Sequence, residues 1–128
     1  MTHRIRIAAC SLALAALPTL AGCVVVASGP GPAGTSYTLG HLDGTLAASP
    51  QKVVDASEAV LKEQDMHMVS KDATGLDGKV VARTALDTRI EITVERQDEK
   101  KSKISIRVGT FGDVKLSRDL YEKIKAKL

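Results

Sequence analysis

Tryptophan is absent, phenylalanine occurs once (Phe111) and tyrosine twice (Tyr37, Tyr121), so aromatics make up 2% of the 128 residues. A core built from this chain must be aliphatic. Cysteine is almost as scarce. Both cysteines, Cys10 and Cys23, fall near the start of the chain, so nothing downstream can be stapled by an internal disulfide and stability must come from packing. Histidine is limited to His3, His41 and His67. A catalytic zinc site ordinarily takes three protein ligands, and no His-x-x-x-His or cysteine pair supplies them, so no metal is expected. Met66-His67-Met68 would offer soft thioethers to copper, but the plainer reading is the end of one element and the start of the next. Neither a phosphate-binding glycine loop ending in Lys-Ser or Lys-Thr nor a strand-turn-helix nucleophile motif occurs. No catalytic residues are assigned, and an enzyme is the weakest of the functional classes.

Charge is missing from Ile7 through Ser36. Arg4 and Arg6 precede this stretch, an apolar run follows, and small residues lead into Leu20-Ala21-Gly22-Cys23. A basic start, an apolar segment and small residues at a cleavage point are the parts of a secretory signal. The tetrapeptide adds a thiol at Cys23 that can accept a diacylglyceryl group as a thioether. The segment resembles signals cut by the lipoprotein signal peptidase, which implies cleavage between Gly22 and Cys23 and a free amine on Cys23 that can be acylated as well. These covalent lipids are the only added groups expected, and no separate cofactor is. Two or more acyl chains anchor a protein stably, at about 0.8 kcal/mol per buried methylene. Val24 stands where, in lipoproteins similar to those of enteric bacteria, an Asp would favour inner-membrane retention, and its absence leans the expectation toward the outer membrane. An uncleaved membrane span is a rival reading, since roughly 20 apolar residues cross a bilayer; Pro18, Gly22 and the Gly/Pro cluster after Ala27 make that a poor helix. Ordinary signal cleavage near Ala27 is the other rival.

Removing residues 1–22 takes two arginines and no acid from 18 basic and 15 acidic groups, leaving 16 against 15, a net of +1. A near-neutral domain gives no electrostatic case for nucleic acid, and export argues against it again. The segment from Cys23 to residue 36, rich in Gly, Pro and Ser, suits a tether from a membrane surface. One domain follows, over residues 37–128.

Within it, Tyr37 to Leu46 reads as one weak strand, bulged or twisted at Gly40 and Gly44. Ser49-Pro50 opens a helix, cap then first-turn proline, with Val53, Ala56, Val60 and Leu61 at helical spacing as far as about Met66. Lys79 to Leu86 reads as a strand and Asp87-Thr88 as a tight turn. Ile90, Ile92 and Val94 alternate with polar residues, a charged loop covers Gln97 to Ser102, and Ile104, Ile106 and Val108 alternate again. Such runs joined by short turns are antiparallel strands with one buried face. A last helix, Leu116 to Lys127, carries Leu116, Leu120 and Ile124. The expected fold is α+β: a two-layer sandwich with a four-stranded antiparallel sheet and both helices on one face, in the order β-α-β-β-β-α.

Ile106-Arg107-Val108-Gly109-Thr110-Phe111-Gly112-Asp113, with Ser117 and the helix from Leu120 to Ile124 behind it, resembles the signature of a family of small bacterial lipoproteins classed as a domain of unknown function (DUF3568-like). The lipobox, the Tyr37 strand and the Val53 to Leu61 helix fit the same resemblance. It implies the fold and an envelope location, and brings no activity, cofactor or catalytic residue.

The stretch from Gly109 to Asp113 is the one feature beyond architecture. Gly109 and Gly112 bracket Phe111, which could be presented to a partner, with Arg107 beside it. The ordinary alternative is a strand-to-helix turn in which Asp113 caps the helix and Phe111 closes the end of the core. Arg107 is expected to pair with Glu91 or Glu95 on the next strand, and Lys100-Lys101-Ser102-Lys103 to be a solvated loop. These residues point to a non-catalytic cell-envelope lipoprotein, facing the periplasm, that binds an envelope protein or supports an assembly. A carrier or sensor of a small apolar ligand, held in an aliphatic core, is the alternative.

Overall fold

Period-two alternation settles the middle of the molecule. In the computed structural model, which describes residues 34–128, β5 (Arg89–Asp98) and β6 (Lys101–Val108) run antiparallel, pairing Ile90 with Val108, Ile92 with Ile106 and Val94 with Ile104. All six side chains are buried on the same face. β4 (Asp77–Arg83) adds Val80 and Ala82 beside β5, and β2 (His41–Leu46) adds Leu42 and Leu46 beside β6. β1 (Thr35–Thr38) and β3 (His67–Ala73) form the two edges, giving the order β1-β2-β6-β5-β4-β3, antiparallel throughout.

Two helices cover the apolar face. α1 (Pro50–Glu63) lies over β3, β4 and β5 and buries Val53, Val54, Val60 and Leu61. α2 (Val114–Ala126) lies over β2 and β6 and buries Leu120, Tyr121 and Ile124. Pro50 opens α1 where a missing N–H costs nothing. Ser49 has the extended cap backbone but makes no side-chain cap bond. Asp113 caps α2, its carboxylate accepting from the Leu116 amide at 3.0 Å. Tyr121 is the one large aromatic in the core; its ring lies where a Cβ on Gly44 would sit, 2.6 Å away, and its hydroxyl donates to the Thr45 carbonyl. Glycine at position 44 is what lets the ring seat against the sheet.

The α+β class and the helices on one face match the expectation, but the sheet has six strands rather than four. The expected strand from Tyr37 to Leu46 is a hairpin. Leu39 (φ 51°) and Gly40 (φ 84°) both take left-handed backbone, and Thr38 pairs with His41 across a two-residue turn. That is the turn whose twist suits a tight hairpin. The second additional strand is β3, which bulges between Met68 and Ser70 and exposes most of its residues. With so little buried, it writes no alternation into the sequence. The remaining boundaries shift by a few residues. β4 ends at Arg83, and Leu86 stands exposed in the turn that Thr84 and Thr88 close. The ladder runs to Asp98 and Lys101, so the charged loop shrinks to Glu99 and Lys100. α1 stops at Glu63 rather than near Met66, with Asp65 at a φ of 55° just beyond.

Lys71 ties the edge strand to the helix layer. Its ammonium pairs with Asp55 at 2.8 Å and with Glu58, which Lys62 also contacts at 2.7 Å. The bonds from Lys62 and then Lys71 lower the Glu58 carboxyl from its ordinary 4.5 to about 2. A depressed acid contributes stability that is complete above its unfolded pKa and disappears as pH falls through the folded one. Urea denaturation of the wild type should therefore show a loss of stability from about pH 4.5 down to about pH 2. Glu58→Gln should remove part of that dependence and leave the rest of the profile in place.

Candidate functional site

The alternation that buries the isoleucines turns their neighbours to the other side of the sheet, where neither helix packs. At one end of this open face His41 on β2, Arg107 on β6, Arg89 and Glu91 on β5 and Arg83 on β4 lie in adjacent register: His41 opposite Arg107, Arg107 opposite Glu91, Arg89 opposite Arg83. The β1–β2, β4–β5 and β6–α2 connections gather at the same end. The five side chains, with Asp87, Thr88 and Gly109 to Phe111, line a cleft of about 600 Å³.

The Gly109 to Asp113 loop is shaped by backbone contacts. Gly109 (φ 68°) donates its N–H to the Arg89 carbonyl at 2.7 Å, which ends the ladder. Gly112 (φ 81°) packs directly on Gly40 and the Tyr37 hydroxyl; a Cβ there would stand 2.5 Å from the Gly40 Cα. Left-handed Gly109 and Gly112 and a backbone pressed against Gly40 shape the loop that carries Phe111. Phe111 is 94% exposed. It does not close the core, contrary to the ordinary reading of the sequence. Leu39 and Leu86, at the tips of the two neighbouring turns, are 90% and 91% exposed. Composition gave no sign that these two would join it.

Arg107 also departs from expectation. Glu91 lies opposite it, but that carboxylate is taken by Lys79 at 2.9 Å and Arg89 at 3.1 Å. The Lys79 bond, aided by Arg89 and opposed by partial burial, holds the Glu91 carboxyl below its usual range. Arg107 turns instead to two other groups: one terminal nitrogen lies 3.2 Å from His41 Nε2 and the other donates to the Thr110 carbonyl at 2.7 Å. A guanidinium has no acceptor, so any hydrogen bond between the two is accepted at Nε2, and Nδ1 faces the Ser105 hydroxyl at 3.4 Å. Arg83 pairs with Asp87 at 3.1 Å.

A family model described as "Protein of unknown function (DUF3568)" matches residues 5–127. The chain belongs to that family. No match is found among curated proteins. The match runs from the N-terminal segment through α2, so it takes in the whole sheet and the cleft of this DUF3568 member.

The other sequence candidates lie apart from the cleft or outside the description. Gly22 and Cys23, the expected cleavage and lipidation positions, fall outside the described residues. His67 begins β3, separated from His41 by three strands, while Met66 and Met68 pack against the core. Among the described residues, no three His, Cys, Asp or Glu side chains gather as a metal site, and no helix is long and apolar enough to cross a membrane. The basic run at Lys100 to Lys103 spans the β5–β6 turn at the far end of the sheet.

The arrangement places guanidinium donors beside one exposed phenyl ring. Phe111→Ala should change stability by less than about 0.5 kcal/mol, as for an exposed side chain, against about 3–5 kcal/mol for a core phenylalanine. Gly112→Ala should cost about 1–3 kcal/mol through overpacking. Urea denaturation of the two variants distinguishes a displayed ring from a buried one.

Proposed function

We propose that this protein is a non-catalytic lipoprotein of the cell envelope, anchored through Cys23 with its domain facing the periplasm, and that it docks a partner protein at the sheet end displaying Phe111. One observation carries the docking reading: the only phenylalanine of the chain stands in solvent on the β6–α2 loop, and Leu39 and Leu86 are exposed on two other turns at the same end of the sheet. Isolated exposed apolar residues are ordinary. Three on separate turns at one end of a domain set that end apart, and exposed apolar surface of this kind is where partners bind. Gly109 and Gly112 set the loop, and Arg107 fixes Thr110 beside the ring.

The anchor rests on the sequence: Leu20-Ala21-Gly22-Cys23 behind a basic and then uncharged segment. Val24 favours the outer membrane. Stable attachment would hold the domain at the bilayer and raise its effective concentration for an envelope partner.

In-cell photo-crosslinking from position 111 tests the docking reading. One discrete adduct is expected from Phe111 and none from position 103 at the far end of the same face. Equal labelling at both positions, or none at 111 with the protein present in the membrane fraction, overturns it. Metabolic labelling with an alkyne fatty acid should mark the wild type and leave Cys23→Ser unmarked; equal labelling of both would remove the anchor.

A further inference from the structure

The cleft beside Phe111 gathers cations that the fold does not need there. Arg89 and Arg83 are directly opposed on neighbouring strands, and like charges in that position destabilise a sheet. Each is offset by one local acid, Arg89 by Glu91 and Arg83 by Asp87, at 3.1 Å in both cases. Glu91 is shared with Lys79. Arg107 pairs with no carboxylate among the described residues. His41 and the Thr110 carbonyl hold its guanidinium in place without cancelling its charge. Of its five N–H groups, two are used in those contacts, so three remain free to donate.

From these observations we infer that the cleft recognises a carboxylate-bearing segment of the docked partner: an acidic peptide with an apolar side chain next to its Asp or Glu. This rests on the docking reading above and names the chemistry of that partner. Guanidinium forks match carboxylates with paired, charge-assisted bonds. About 600 Å³ exceeds what a lone inorganic anion fills and suits several residues of chain. Phe111, Leu39 and Leu86 on the neighbouring turns would take the apolar side chain.

Arg107 and Phe111 both line the cleft, so a peptide pairing an acid with an apolar side chain engages both at once. Phospholipid headgroups, which offer phosphate to the same guanidinium forks, are the competing outcome in the vesicle measurement.

The test uses the full-length lipidated protein in detergent micelles and a library of twelve-residue peptides randomised over Asp, Glu, Asn, Gln, Leu and Phe. Bound peptides should be enriched in Asp or Glu next to Leu or Phe. Their affinity should fall about tenfold or more in Arg107→Gln and in Arg89→Gln, since each removes a charge-assisted donor to the acid. Lys103→Gln, at the far end of the same face, should leave it unchanged. Arg107→Lys keeps the charge and loses the fork, so an intermediate loss is expected. Selected peptides with no excess of acid, or unchanged affinity in both arginine variants with circular dichroism spectra like the wild type, overturn the inference. So does arginine-dependent binding of Cys23→Ser protein to phosphatidylglycerol vesicles in preference to the peptides. A Phe111 adduct in cells whose yield is unaffected by Arg107→Gln would keep the docking reading and remove the acidic partner; loss of the adduct in the wild type removes the docking reading itself.

Discussion

The pairing of Ile92 with Ile106 lies at the centre of the sheet, and the other elements are seated on it. Leu42 flanks it on one side and Val80 on the other, so one apolar row crosses four strands with every member fully buried. Each such side chain contributes about 1.5–3 kcal/mol on burial, and no disulfide within the domain supplements them. The row also fixes the register. Sliding either central strand by one residue would send Glu91 or Arg107 into the core and an isoleucine into solvent. The charged row on the open face, His41 beside Arg107 beside Glu91, is therefore set by the same pairing that builds the core.

Where a helix side chain presses closely on the sheet, a glycine makes the room. Gly44 admits the Tyr121 ring, and Gly78 lies against Val54 of α1. At the cleft end, Gly112 packs on Gly40, so the β1–β2 turn and the β6–α2 loop brace each other backbone to backbone. That contact couples the fold to the display of Phe111. The loop holds its shape by backbone fit, and the side chain at its tip is left free of any packing role.

The sequence was most legible where burial is one-sided. Ile90, Ile92, Val94, Ile104, Ile106 and Val108 announced two strands and the face they bury, and Asp113 announced the cap of α2. It was least legible at the edges. β3 buries little on either side, and its bulge at Met68 to Ser70 breaks what alternation it has. The Leu39-Gly40 turn escaped notice because leucine seldom takes positive φ, so Gly40 read as a bulge inside one strand. The cleft followed the same rule. Arg107 and Phe111 were visible as residues of interest, but their surroundings depend on long-range pairing. Bringing Arg83, Arg89 and His41 beside them takes three separate ladders. The competition for Glu91, which Lys79 and Arg89 win over Arg107, is a matter of side-chain geometry that register alone leaves open.

That competition is what gives the cleft its character. If Arg107 held Glu91, the open face would be a ladder of satisfied ion pairs, worth little individually and of little use to a ligand. Instead the acid is drawn toward β4 by Lys79, and Arg107 is oriented by an imidazole and a carbonyl rather than by a carboxylate. Such acceptors hold a guanidinium still at low cost and leave its field intact. Fixing the donors before a ligand arrives reduces the ordering cost of binding. Beside them a phenyl ring stands in solvent between two left-handed glycines. The same end of the sheet thus offers a fixed positive group and an apolar contact a short distance apart, and a partner combining an acid with an apolar side chain satisfies both together.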